Sequence, residues 1–415
     1  MESMIWIARP LIVVGFLIGF SAALKADWPQ FRGPHRNGIA GEANPPVSWS
    51  QGNRVRWRTA IPGVGWSSPV VSKGRIYLTT AKLNRAQNPT TLNALCIDAR
   101  SGKLLWDKIV RSALGERKKH SKNSFASPTP IVHQGRLYLH FGHLGSACLD
   151  LDGKTLWRQT EISYEPVHGN GGSPVIEDGK LIFSADGKRT TKVYALDLRN
   201  GQTIWYASRN TSAKKKFSFS TPTILNDEEE PLIISPGSGA VSAYRVRDGK
   251  EIWSFDYGEG YSVIPQPIVA HDLVFVGTGY DKPSVLAIEL GGHGDITESH
   301  LAWKTNRSAP HTPSMLCIGN ELYFVSDGGV ASCVDARTGK RHWQERIGGN
   351  VSASPLYANG RIYITSEEGV TTVLRAKKEF DILARNDLKE RSLASLAVDG
   401  DAFIARTMSY LYRIE

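Results

Sequence analysis

Side chains able to do chemistry are scattered thinly through this 415-residue chain. The four cysteines, Cys96, Cys148, Cys317 and Cys333, are never adjacent, and no C-x-x-C-H stretch offers a haem attachment site. The sequence contains no G-x-S-x-G, no H-E-x-x-H and no G-x-x-x-x-G-K-[ST], so no motif for acyl transfer, zinc hydrolysis or nucleotide binding is at hand. The glycine-rich HGNGG at 168–172 runs into a strand-like stretch rather than a helix, which makes it a tight loop and not a phosphate cradle. His120, His168 and His311 are far apart in sequence, so no metal-ligand set and no catalytic residue is assigned. What remains is a recurring group of aromatic, amide and imidazole side chains placed just upstream of prolines: Trp66, Asn123, Phe125, His168, Asn170, Phe219, Tyr261, His311 and Asn350. Lys118, Lys119 and Lys215 stand in the same stretches. Aromatic faces beside amides and cations can grip a sugar, a peptide or an anionic ring, and these twelve residues are the candidate ligand-binding set.

The elements that must position them are repeats. Trp57, Trp106, Trp157, Trp205, Trp253, Trp303 and Trp343 are spaced by 49, 51, 48, 48, 50 and 40 residues. Five of these tryptophans end closely similar phrases: CIDARSGKLLW, CLDLDGKTLW, ALDLRNGQTIW, AYRVRDGKEIW and CVDARTGKRHW. Each is an apolar run, a polar turn and a second apolar run, which predicts a hairpin with Gly102, Gly153, Gly201, Gly249 or Gly339 at a position of positive φ. Upstream lies a second hairpin phrase, with a proline opening its first strand at Pro69, Pro128, Pro174, Pro222, Pro267, Pro313 and Pro355. Four short strands per 40–50 residues is the period of a β-propeller blade. Eight blades are expected, with the strand at 53–60 completing a worn last blade and so closing the ring. Seven is the runner-up, because Leu383 stands where the seventh Trp is due. Cys96, Cys148 and Cys333 share one repeat column with Ala195, which marks a small buried packing site.

On these phrases, with Asp98, Asp197, Asp335, the turn glycines and the ladder tryptophans, the sequence resembles the quinoprotein-type tryptophan-repeat β-propellers. That family includes pyrroloquinoline-quinone (PQQ) dehydrogenases and the non-enzymatic outer-membrane protein-assembly propeller. DWPQFRGPHRNG at 27–38 is also similar to the opening of exported quinone-binding-like propellers. The resemblance implies a ladder in which each Trp lies flat between blades. For the enzymes it implies a quinone on a Trp floor beneath a vicinal Cys–Cys disulfide, with Ca²⁺ held by Glu, Asn and Asp and an Asp as base. This chain has no vicinal cysteines, and only its 287–303 link is expanded. The expectation therefore leans away from an enzyme. It is an exported, non-catalytic binding or scaffold module, without a cofactor, acting through its loop-rich face. A PQQ- and Ca²⁺-dependent alcohol or sugar dehydrogenase and a carbohydrate-binding propeller are the alternatives.

Residues 10–24 form an uncharged run of 15, short of the roughly 20 that span a bilayer but suited to a signal peptide. The expected organisation is a signal peptide at 1–26, with an uncleaved anchor as the alternative, a lead-in peptide at 27–52 and the propeller at 53–415. Such a product is soluble in the periplasm or cell envelope and keeps no stable membrane span. The chain carries 50 Lys and Arg against 40 Asp and Glu. Part of the excess falls on two links expected on one face, through Arg111, Arg117, Lys118, Lys119 and Lys122 in one and Arg209 and Lys214–Lys216 in the other. The expected partner is an envelope protein or an anionic glycan, and export argues against nucleic acid.

Overall fold

A computed structural model describes residues 27–112, 114–115, 117–226 and 230–415, so the expected signal peptide lies outside the described residues. Eight sheets of antiparallel hairpins follow one another around a ring, an eight-bladed β-propeller. Inner strands are walled in by neighbouring blades and read as continuous apolar runs, as in Leu273–Gly277 (LVFVG), buried throughout. Outer strands meet solvent and alternate, as in Val55–Ala60 (VRWRTA). That strand closes the ring as expected: it pairs antiparallel with the C-terminal strand Tyr410–Ile414, with Ala60 opposite Tyr410. Among the described residues no helix is long and apolar enough to cross a membrane.

The tryptophans form the ladder, and the turn glycines are their seats. The Trp157 indole donates through Nε1 to Leu198 O of the next blade at 2.9 Å, and Trp303 does the same to Ala336 O at 2.9 Å. A Cβ added at Gly201 would lie 2.5 Å from the Trp157 ring, so this position needs glycine for space as well as for its φ of +74°. Within each blade the Trp sits opposite the small column: Trp106 opposite Cys96, Trp157 opposite Cys148, Trp205 opposite Ala195 and Trp343 opposite Cys333.

Three sequence expectations are corrected. In the seventh blade the Trp slot, opposite Val373, is held by Ala384 and not Leu383. The missing ring comes from the lead-in peptide. Trp49 is buried between Tyr363 of blade 7, at 6.3 Å between ring centroids, and Phe403 of blade 8, at 5.6 Å. The first strands of blades 2 and 6 begin at Ile131 and Leu316, which puts Pro130 and Met315, not Pro128 and Pro313, in the slot that Pro69 holds before Val70. The expanded 287–303 link carries a short segment, Gly294–Asp295, that adds to the outer edge of blade 4 as a parallel fifth strand beside Trp253 and Ser254.

The lead-in peptide crosses the axis of the ring. Trp28 bridges to Val71 of blade 1, and Pro29 O accepts from Val132 N of blade 2 at 2.8 Å. Arg36 donates to Ile176 O of blade 3 at 2.8 Å, and Arg32 donates to Met315 O beside blade 6. Ile39 bridges to Tyr357 of blade 7.

Candidate functional site

The inner strands converge on the axis, and the residue before each first strand's opening position faces its counterpart in the next blade. Seven of these eight positions are hydroxyl residues, and their backbone N–H groups join blade to blade. Ser68 N–H donates to Thr129 Oγ1 at 3.0 Å, Thr129 to Ser173 at 2.9 Å and Ser173 to Thr221 at 2.9 Å. At the fifth position, the exception Gln266, the chain resumes: Gln266 N–H donates to Ser314 at 3.0 Å, Ser314 to Ser354 at 3.0 Å, Ser354 to Ser395 at 2.9 Å and Ser395 to Ser68 at 3.1 Å. The remaining joint is bridged by Gln266 Nε2 donating to Pro222 O at 3.1 Å.

This collar encloses a cavity of about 540 Å³, with Phe31 of the lead-in peptide on its wall. Of the predicted residues, Trp66, Asn123, His168, Phe219, Tyr261 and His311 line it. The rings form an arc around its mouth, across the segments that join successive blades and, at Tyr280, one hairpin: His120 to His168 at 5.3 Å, His168 to Phe217 at 5.1 Å, Phe217 to Tyr261 at 5.3 Å, Tyr261 to Tyr280 at 5.6 Å and Tyr280 to His311 at 5.3 Å. Lys215 Nζ lies 3.9 Å above the Tyr261 ring, a cation–π contact. Lys119 sits 5.8 Å from the Phe125 ring, and partial burial and then Arg391 lower its pKa. Arg391 stands 5.9 Å from the Trp66 ring.

Other predicted residues belong to the framework. Phe125 is 1% exposed in the core shared by blades 1 and 2. Asn170 is buried and ties two loops, donating through Nδ2 to Phe141 O at 2.7 Å and accepting from His143. Asn350 and Lys118 are exposed and lie off the cavity wall. The basic loops are also less basic than the sequence implies. Arg209 is fully buried against Asp186 at 2.6 Å, and Lys122 is bridged by Glu367 at 2.7 Å. Sequence reasoning missed Tyr280 and Asp327, because both sit in hairpins between second and third strands where no repeat proline flags them. The collar residues were in plain sight as the Ser or Thr of SSPVV, GSPVI, STPTI and ASPLY.

A quinone with Ca²⁺ would require several free hard oxygens around the metal. On the wall, Asp327 has both carboxylate oxygens occupied: Oδ2 accepts from the His311 and Thr312 N–H groups at 2.8 and 3.1 Å, and Oδ1 accepts from Thr312 Oγ1 at 2.5 Å. Among the described residues no group of three His, Cys, Asp or Glu is placed to hold a metal ion. The four cysteines are free thiols, Cys96, Cys148 and Cys333 being buried in separate blades. The residues present do not fit the quinone–calcium pair, and no reaction step follows from it.

Eight blades, a tryptophan ladder and an axial funnel define a PQQ-like repeat propeller. The chain matches the family described as outer membrane protein assembly factor BamB over residues 90–292 and 295–410, and it belongs to that family. It is 24% identical over 307 residues to the outer membrane protein assembly factor BamB of Shewanella oneidensis, spanning 69% of this chain and 73% of that one. It is 22% identical to the Yersinia pestis protein of the same name, over 74% and 77% of the two chains. Two uncharacterised Rickettsia proteins match at 21%, and the alignment spans only about half their length. Among solved structures, BamB from Moraxella catarrhalis superposes with a TM-score of 0.59 at 13% identity, over 87% of this chain and 99% of that one. A europium-containing methanol dehydrogenase gives 0.64 at 11%, over 93% and 89%. At such identities these structures share the fold alone.

Proposed function

We propose that this protein is an exported, non-catalytic propeller that holds an envelope protein of outer-membrane assembly on its link-loop face. The observation that carries the reading is the ring arc from His120 to His311, which gathers ring side chains from successive blades on one rim. Lysines flank the arc: Lys118 and Lys214 are exposed without an ion pair among the described residues, and Lys215 caps Tyr261. Aromatic anchors inside a polar rim are the usual anatomy of a protein-binding surface, and a rigid β scaffold holds such loops in place. The family supplies the class of partner. The wall's donor set, with both Asp327 oxygens already occupied, counts against the quinone- and calcium-dependent dehydrogenase alternative.

The test is retention of outer-membrane assembly components from envelope extract. The wild-type chain is expected to retain them, and Lys119→Glu, Lys214→Glu and Lys215→Glu together to lower that retention at least tenfold with the melting temperature unchanged. Equal retention by both proteins, or none by either, overturns the reading.

A further inference from the structure

We infer that the axial collar, at the base of the cavity whose mouth the ring arc surrounds, is a binding site for a carboxylated sugar. The seven collar hydroxyls are buried, at 2–8% exposure, and all line the cavity. Each oxygen accepts one backbone N–H from the neighbouring blade, so its acceptor capacity is partly used by the fold. None of the seven O–H groups has an acceptor among the described residues. A hydroxyl carries one proton to donate, and a buried donor without an acceptor is costly. The collar is thus a ring of uncommitted donors converging on one space, complementary to a group that accepts many hydrogen bonds and donates few. A carboxylate is such a group, and bonds to an ionised acceptor are the stronger kind.

The upper wall selects the rest of the ligand. Trp66, Phe219 and Tyr261 line the same cavity, and aromatic side chains suit the C–H face of a pyranose, while Asn123 adds an amide. A volume of about 540 Å³ is in the range of small-ligand pockets and takes a mono- or disaccharide. Phe31 stands on the wall from the lead-in peptide that crosses the axis, so the space is a cup rather than an open channel.

The experiment is isothermal titration of the full chain with D-glucuronate, with D-glucose and with inorganic phosphate, and intrinsic fluorescence reporting on Trp66. Glucuronate is expected to bind at one equivalent, at least tenfold more tightly than glucose or phosphate. Ser354→Ala is expected to weaken it at least fivefold. Because Ser354→Ala also removes a blade joint, Trp66→Leu on the mouth wall serves as a second variant and is expected to weaken binding by a similar factor. No heat with glucuronate at millimolar concentration, equal affinity for glucose, or equal affinity for phosphate each overturns the proposal. Retention of assembly components by the rim is read independently of all three.

Discussion

The Trp205 indole lies against Gly249 of the following blade: a Cβ at 249 would come 2.5 Å from the ring, and Trp205 Nε1 donates to Val246 O at 3.1 Å. One residue pair therefore fixes both the spacing and the rotation of two blades. Trp205→Ala removes a ring that is 9% exposed and leaves a cavity, an expected loss of about 3–5 kcal/mol. Gly249→Ala forces a side chain into that ring at a φ of +74° and is expected to cost at least about 1–3 kcal/mol. Urea unfolding of the two variants checks both values, and an unchanged midpoint for either refutes the ladder.

The seam between blades 7 and 8 depends on a residue from outside the repeats. Trp49→Ala is expected to cost about 3–5 kcal/mol, as for a ladder Trp, although Trp49 stands before the first strand. Hydrogen exchange should show the loss first in Val55–Ala60 and Tyr410–Ile414, the pair of strands that close the ring. Trp49→Phe, which keeps a ring between Tyr363 and Phe403, is expected to recover part of the stability.

Acid stability should be set in part by His140. Its burial, and then the neighbouring His143, lower its pKa to about 3, and its Nδ1 pairs with Ser146 Oγ at 2.9 Å. The unfolded ring takes up a proton near pH 6.5 while the folded ring stays neutral. The stability contribution is therefore complete above pH 6.5 and is lost as pH falls from 6.5 toward 3, roughly 2 kcal/mol by pH 5. Unfolding curves between pH 5 and 7.5 measure this, and His140→Gln is expected to flatten the profile.

The thiols should be inert in the folded protein. Burial pushes Cys96 and Cys333 up to about 12 and Cys148 and Cys317 to about 11, so thiolate is scarce at pH 8. A thiol-reactive chromophore is expected to report almost no reaction before unfolding and four equivalents after it.

Much of the architecture is local information. Each hairpin phrase carries its own turn glycine and its own Trp, and strand pairing within a blade joins residues close in sequence, so period and composition dictated the blades and the ladder. The same repeat, laid on a closed ring, dictated that Val55–Ala60 must complete the last blade. Contacts made only once the ring closes were not legible in this way. Trp49 meets Tyr363 and Phe403 across more than three hundred residues, a pairing no local pattern encodes. Phe125 and Trp66 occupy similar sequence slots, yet one is buried in a core and the other lines the cavity, because the packing between blades differs around the ring. Arg209 reads as surface charge and is buried because Asp186 stands opposite it in the fold. The sequence set a Ser or Thr beside most inner strands; only tertiary closure turned seven of them into one collar, since converging hydrogen-bond donors exist only where distant segments share an axis.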